Sequence, residues 1–348
     1  MSDLGKYDYE LPRDLIAQQP AATRADARLL LVDRTGNSLQ HYYVRDLPDI
    51  LRAGDCLVLN DTRVVPARLI GRRDRTGGRW EGLFLEVVPG GLWRVLCKAR
   101  GKLVPEETIT LVDAQGQDDI QLHMGLRRSD GSWVVRPHTG EDTFSLLERI
   151  GRVPLPPYIR KGEMVEADRE HYQTVYARWP GAIAAPTAGL HFTDSLLRRL
   201  QDGKIVVCAL TLHTGGGTFR PITSDSLAAH QLDAEWGTIR QETINQIADC
   251  RRRGGRVVAV GTTSVRLLET AAADGTLKPL TGYTDLFIRP PFKFQAVDVL
   301  LTNFHLPRTT LLVLVRTFGG EELIARAYEE AIREKYRFYS YGDAMLII

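Results

Sequence analysis

The chain has little of what usually announces a chemistry. Its four cysteines, Cys56, Cys97, Cys208 and Cys250, are scattered over 348 residues with no CxxC pair. That spacing excludes a disulfide framework and a finger-type metal site, and predicts reduced, buried thiols. HExxH and paired His/Cys spacings are missing, so no metal is expected. Neither a Walker A loop nor a G-x-G-x-x-G fingerprint is present, which argues against nucleoside-triphosphate and dinucleotide chemistry. Apolar runs are short, Leu311–Val315 being typical, against the ~20 residues of a bilayer span. Met1–Glu10 is polar and acidic with no apolar h-region, so no secretory signal is read and a cytoplasmic location is expected. Charge is nearly balanced, 45 Lys and Arg against 43 Asp and Glu, or +2. This neither marks nor excludes a nucleic-acid binder, because a local basic face matters more than the sum.

What is present is an ordinary globular composition, 43% hydrophobic and 25% charged, with length for two domains of roughly 100–200 residues each. The texture changes twice. Up to about Asn60, Arg28–Asp33 and Gln40–Val44 flank the turn signal Gly36-Asn37 and predict a hairpin. Leu47, Ile50 and Leu51 sit at helical spacing before Gly54, and Cys56–Leu59 reads as a buried strand running into the loop Asn60-Asp61-Thr62. From about Thr62 to Ile150, the runs 67–71, 80–88, 93–97, 108–112, 120–124 and 133–136 alternate with turn residues, which predicts a small antiparallel barrel or sandwich. Thr143–Ile150 is the helical exception. Beyond Pro154-Leu155-Pro156-Pro157, apolar strands alternate with amphipathic helices. Strands are expected at 205–212, 256–260, 285–288 and 299–302. Helices are expected after the N-cap Thr193, at 242–253, at 264–273 and twice between Thr310 and Lys335. The economical architecture is an α/β domain of residues 1–59 and 151–348, its mixed sheet covered by helices, with an all-β antiparallel barrel inserted at 60–150.

In open α/β sheets, sites form beyond the C-terminal strand ends. The polar and glycine-rich segments in those positions are Ala184–Phe192, His213–Phe219, Gly261–Arg266 and Thr302–Pro307, joined by His230 with Asp233 and Glu235. Glycines let a backbone approach a ligand, and a helix N-terminus offers free N–H groups to a carboxylate or sugar. Each segment also admits a plainer account as loop packing or helix capping. The recurrence of His191, His213, His230 and His305 in these loops points to a shared pocket with acid–base groups.

Together the motifs resemble the S-adenosylmethionine:tRNA ribosyltransferase-isomerase family, and the resemblance runs end to end. It is carried by Tyr9–Pro12, Leu15–Gln18, Gly54-Asp55, Leu59–Val64, Pro156–Ile159, Tyr172–Ala177, Ala185–Phe192, the His213 glycine loop, Val260–Arg266, Thr302–Pro307 and Tyr336–Met345. Two departures stand out. The family's His-x-Met-His-x-Glu reads His230-Gln231-Leu232-Asp233-Ala234-Glu235 here, so its second histidine is Asp233, and Thr214 stands where valine is common.

The resemblance implies a monomeric, metal-free cytoplasmic enzyme without a prosthetic group. S-adenosylmethionine would be its ribosyl donor and tRNA its partner. The ribosyl group would be transferred and isomerised onto the aminomethyl group of 7-aminomethyl-7-deazaguanine at the wobble position. The products would be epoxyqueuosine-tRNA, adenine and methionine. The sulfonium acidifies the adjacent ribose carbon and adenine is a leaving group in place, so the protein needs a base, an acid and positioning groups. These are expected among His191, His213, His230 and His305, with Glu235 or Asp343 orienting one of them. Substrate binding is expected from Asn303, Gly261, Thr262, Thr263 and Arg266. The other motif positions implied are Asn60, Thr62, Arg63, Thr187, Gly189, Gly215, Gly217 and Thr218. Two basic clusters are candidates for tRNA: Arg72, Arg73, Arg75 and Arg79 in the insert, and Arg251, Arg252 and Arg253 with Arg256. The rival classes are an S-adenosylmethionine-dependent RNA methyltransferase, which would release S-adenosylhomocysteine instead of adenine, and a non-catalytic RNA-binding protein, which would turn nothing over.

Overall fold

In the computed structural model, residues 3–215, 222, 227 and 230–348 are described. The chain opens with the hairpin β1 (Arg28–Asp33) and β2 (Ser38–Tyr43), the short helix α1 (Leu47–Ile50) and strand β3 (Cys56–Asn60). Next come β4 (Thr62–Val64) and six further strands: β5 (Arg68–Arg73), β6 (Arg79–Val88), β7 (Leu92–Ala99), β8 (Thr108–Val112), β9 (Asp118–Arg127) and β10 (Trp133–Pro137). After α2 (Thr143–Ile150) and α3 (Asp168–His171), β11 (Trp179–Ala182) pairs with β4. The remainder is α4 (Asp194–Asp202), β12 (Val206–Leu212), β13 (Glu235–Ile239), α5 (Gln241–Arg252), β14 (Val257–Val260) and α6 (Thr262–Ala271). It closes with β15 (Leu280–Thr284), β16 (Val299–Asn303), α7 (Thr310–Gly319), α8 (Glu321–Arg333) and β17 (Ala344–Ile347).

Nine strands form one mixed sheet in the order β15-β13-β12-β3-β14-β16-β17-β1-β2. Its centre is parallel: β12, β3, β14 and β16 run the same way. Both faces of these strands are covered, which is why their sequences read as continuous apolar runs such as CLVLN and VVAV. Alternation sends Cys56 and Val58 into a core with Ile247, Val265 and Leu312, while Leu57 and Leu59 pack with Leu47, Phe192 and Leu200 on the other side. Thr193 caps α4 by accepting from the Leu196 N–H at 3.1 Å.

Strands β5–β10 close into an antiparallel barrel in the order β10-β7-β6-β5-β8-β9. It is filled by Trp80, Trp93, Phe84 and the inward residues of α2. The fold class is thus the expected one, and the six predicted insert strands are all present with ends that differ by at most three residues.

Three local expectations differ. No strand forms at 285–288; the strand is Leu280–Thr284, and the apolar residues after it run into Arg289-Pro290-Pro291, where proline cannot donate to a ladder. Strands β4, β11, β13 and β17 carry no strand expectation from the sequence: β13 is interrupted by Gly237, and the other three are only three or four residues long. Cys97 is half-buried, unlike the other three thiols.

Candidate active site

The C-terminal ends of the parallel strands define one rim, carrying Asn60, Leu212, Val260 and Asn303. Here the direction of strand addition reverses around β3, the place where α/β sheets open a crevice. The crevice is walled by the small residues Ala184–Ala188, by Gly261–Thr263 at the start of α6, by Thr302–Leu306, and by Tyr158, Tyr339 and Ser340. It is a narrow recess, open to solvent at its mouth. Gly261 has φ +86°, a left-handed turn that brings the free N–H groups of α6 to the wall.

The four histidines share this end of the sheet but not one cavity. His305 lines the crevice, its Nε2 2.8 Å from the Thr302 hydroxyl. Burial lowers its pKa to about 3. His191 lies behind the wall: its Nε2 accepts from the Asn303 amide at 3.2 Å, and the ring faces a separate recess with Arg24 and Arg337. Burial, reinforced by those two cations, lowers its pKa to about 3 as well. His213 follows β12 with Nδ1 2.8 Å from the Thr62 hydroxyl, and its ring stacks on Trp236 at 5.2 Å and 21°. Burial lowers its pKa too. A Cβ on Gly181 would stand 2.7 Å from its Nε2. His230 is the outlier, edge-on to Phe287 at 5.7 Å, beside a recess lined by Asp233, Glu235 and Arg266.

Asn303 is the central polar group of the crevice. Its Nδ2 donates to His191 and to the Tyr339 carbonyl, while its buried Oδ1 has no partner. An unpartnered buried acceptor is costly, and this one belongs to a residue that lines the crevice.

Other expected ligands are engaged within the fold. Asn60 holds both backbone groups of Leu212 and donates to Thr263. It therefore spaces β3 from β12 and does not face substrate. Asp343 accepts from the backbone N–H groups of Arg28 and Arg337 at 3.0 and 2.7 Å, fixing the start of β17 instead of orienting a histidine. Glu235 pairs with buried Arg266 and accepts from Gly215 N–H at 2.8 Å, so Arg266 is neutralised. Its Nη2 nonetheless stays without a partner. Arg63 points away, 3.7 Å from Glu148 on α2. Gly189 lets Tyr176 approach, since a Cβ would lie 2.0 Å from that hydroxyl. Thr187, Thr262 and Thr263 line the crevice. Gly217 and Thr218 fall outside the described residues.

A second, wider cleft separates the barrel from the sheet edge. Phe84, Val87 and Phe144 stand on the barrel side, and His213, Gly215, Trp236 and Tyr283 on the other. Thr214 lines both this cleft and the crevice, so the start of the His213 loop is a wall common to the two. The sequence did not single out Thr302, Tyr339, Ser340, Gly181 or Trp236. The first three sit inside quoted motifs, whereas nothing local marks Gly181 or Trp236, which meet His213 only through strand pairing.

The basic clusters divide. Arg73 is buried and bidentate to Glu107 at 2.6 and 2.8 Å, which removes it from any phosphate. Arg72 pairs with Asp118, Arg79 with Glu81, and Arg75 lies exposed 3.8 Å from Glu107. Arg251–Arg253 close α5 just before β14 begins, so they lie at the opposite end of the parallel strands from the rim. Arg256 is bidentate to Asp55. No group of three or more metal-ligating side chains occurs among the described residues, and no helix among them is long and apolar enough to cross a membrane.

A family model described as queuosine biosynthesis protein matches residues 4–347. Two curated relatives named S-adenosylmethionine:tRNA ribosyltransferase-isomerase are 48% and 47% identical, from an Anaeromyxobacter species and Symbiobacterium thermophilum. The matches cover 99% of this chain and 98% and 99% of theirs. The crystal structure of S-adenosylmethionine tRNA ribosyltransferase from Thermotoga maritima is 34% identical with a TM-score of 0.56, over 99% of this chain and 100% of that one.

Proposed function

The chain belongs to the queuosine biosynthesis protein family, and from that premise we propose how its rim performs the reaction. The activity is ribosyl transfer and isomerisation in queuosine synthesis, with S-adenosylmethionine as donor and tRNA as acceptor. The acceptor group is the aminomethyl of 7-aminomethyl-7-deazaguanine at the wobble position, and the products are epoxyqueuosine-tRNA, adenine and methionine. The enzyme works as a cytoplasmic monomer, with residues 60–150 as an inserted domain in an α/β domain of residues 1–59 and 151–348.

S-adenosylmethionine occupies the crevice. The N–H groups at the start of α6 and the Thr262 and Thr263 side chains receive its methionine carboxylate. The orphan Asn303 Oδ1 accepts from a ribose hydroxyl or the purine amine. His213 is the proton-transfer residue. With a pKa near 3, His191 and His305 are neutral but far weaker as bases than an ordinary histidine. They therefore act as hydrogen-bonding supports, His305 beside Thr302 and His191 behind Asn303. His213 is half-buried, unlike those two, has Nδ1 fixed by Thr62, and borders the cleft.

The observation that carries this reading is Thr214, which lines both cavities next to the histidine that borders the cleft. A donor in the crevice and a base presented from the cleft then converge on one residue pair. The test is incubation with S-adenosylmethionine and tRNA bearing the deazaguanine precursor, followed by mass analysis of the wobble nucleoside. Adenine and a ribosyl-modified nucleoside are expected; S-adenosylhomocysteine would overturn the reading in favour of methylation.

A further inference from the structure

The outer face of the β12-β13-β15 edge carries an aromatic and basic surface that the donor chemistry does not use. Register puts Trp236 opposite Tyr283 and Thr238 opposite Thr281. Alternation along β13 turns Gly237 and Ile239 inward and leaves Trp236 and Thr238 outward. The inner side is packed: a Cβ on Gly237 would meet Leu267 of α6 at 2.8 Å. The outer side looks into the barrel cleft, where Tyr283 is 65% exposed.

Next to it stands Trp179, 37% exposed. The Arg178 and Arg240 guanidiniums lie 5.0 and 4.7 Å from its ring centroid. Both arginines are exposed, and neither forms an ion pair among the described residues, unlike Arg72, Arg73 and Arg79. The nearby acid, Asp61, is turned inward and accepts from Thr211 at 2.6 Å. Exposed rings cost solvation, and unpaired cations flanking one of them suit an anionic partner with flat faces.

We propose that this face is a stacking platform for the unpaired nucleotides flanking the wobble base, with Tyr283 and Trp236 receiving bases and Arg178 and Arg240 receiving phosphates. Single-stranded RNA is bound by this combination of aromatic faces and a cationic track. The platform adjoins His213 through the Trp236 stack, so bases held there place the modified base at the crevice mouth. Charge complementarity selects RNA as the occupant: the two cations that flank the Trp179 ring, Arg178 and Arg240, are exposed and in no ion pair among the described residues. The proposal rests on tRNA being the substrate, as given above.

The experiment uses the full chain and an anticodon stem-loop RNA bearing the precursor base, with the same RNA closed by a complementary strand as control. Tyr283→Ala is expected to weaken open-loop binding by roughly tenfold, as loss of one stacked base does, while Tyr283→Phe retains it. Arg178→Ala with Arg240→Ala should lower the log–log salt slope by about 1.4, the single-strand value for two phosphates. Unchanged S-adenosylmethionine affinity in each variant reports an intact fold. Wild-type binding by Tyr283→Ala, an unchanged salt slope, or equal binding of the closed loop would overturn the platform. If the wild-type chain releases no adenine from S-adenosylmethionine and precursor tRNA, the parent reading fails and takes the platform with it. Adenine release alongside normal binding by Tyr283→Ala removes the platform alone.

Discussion

His213 has its Nδ1 fixed by Thr62 and its ring clamped between Trp236 and Gly181, as a proton-transfer residue requires. His213→Gln is expected to lower kcat by about 10²–10⁴, the usual contribution of general acid–base catalysis, with little change in S-adenosylmethionine affinity. The acid limb of the wild-type profile should fall below the ordinary histidine value, since burial lowers this pKa; steady-state rates from pH 5 to 8 check both. His191 and His305 make a separate prediction about stability. Each has a folded pKa of about 3, against an unfolded value near 6.5. Between those values the unfolded chain binds more protons, so their contribution is complete above about pH 6.5 and is lost as pH falls toward 3. The slope is up to ~1.4 kcal/mol per pH unit for each histidine. Urea unfolding at pH 7.5 and 5.0 should reveal it, and His305→Gln should flatten it by about half.

Single elements carry other residues into roles that their types do not announce. Strand β11 exists to pair with β4, and that pairing presses Gly181 against His213. Gly181→Ala should displace the ring and lower turnover at least tenfold while S-adenosylmethionine still binds, as seen by comparing kcat with a direct binding isotherm. In the barrel, the crowding of four arginines into residues 72–79 makes Arg73 a candidate phosphate ligand. Strand alternation decides otherwise: Arg73 points inward to Glu107, and Arg72 points out. Glu107→Gln leaves the Arg73 guanidinium half-paired, the Arg100 and Lys102 carbonyls still accepting from it, and is expected to destabilise by about 1–3 kcal/mol. Calorimetry would show the lowered Tm, with the salt dependence of tRNA binding unchanged.

On the scale of the whole molecule, the reaction site lies between parts drawn from the entire chain. The crevice combines residues near 158, 185, 214, 262, 303 and 340, and the cleft adds the barrel's Phe84 and Phe144. A tRNA occupying that cleft would also pass the barrel. Neutralising Arg75 and Arg79, which are exposed, should reduce the salt slope of tRNA binding by about 0.7–0.9 for each phosphate that then keeps its counterion. S-adenosylmethionine affinity should not change. A filter-binding series at several salt concentrations measures it.

The sequence by itself determined the alternation of layers. Runs apolar at every position meant strands covered on both faces, and short alternating runs between turns meant the barrel, because burial pattern follows directly from side-chain periodicity. It also determined which loops hold the polar groups, since helix starts and strand ends have local signals at Thr193, Gly261 and Asn303. Only the tertiary structure decided which of those groups are free. Asn60, Asp343 and Arg266 have the same chemistry as ligands elsewhere, but groups 152 and 315 residues away engage the first two, and Glu235 on β13 engages Arg266. Their partners arrive through strand pairing across the chain, and no local pattern encodes which residue will stand opposite another.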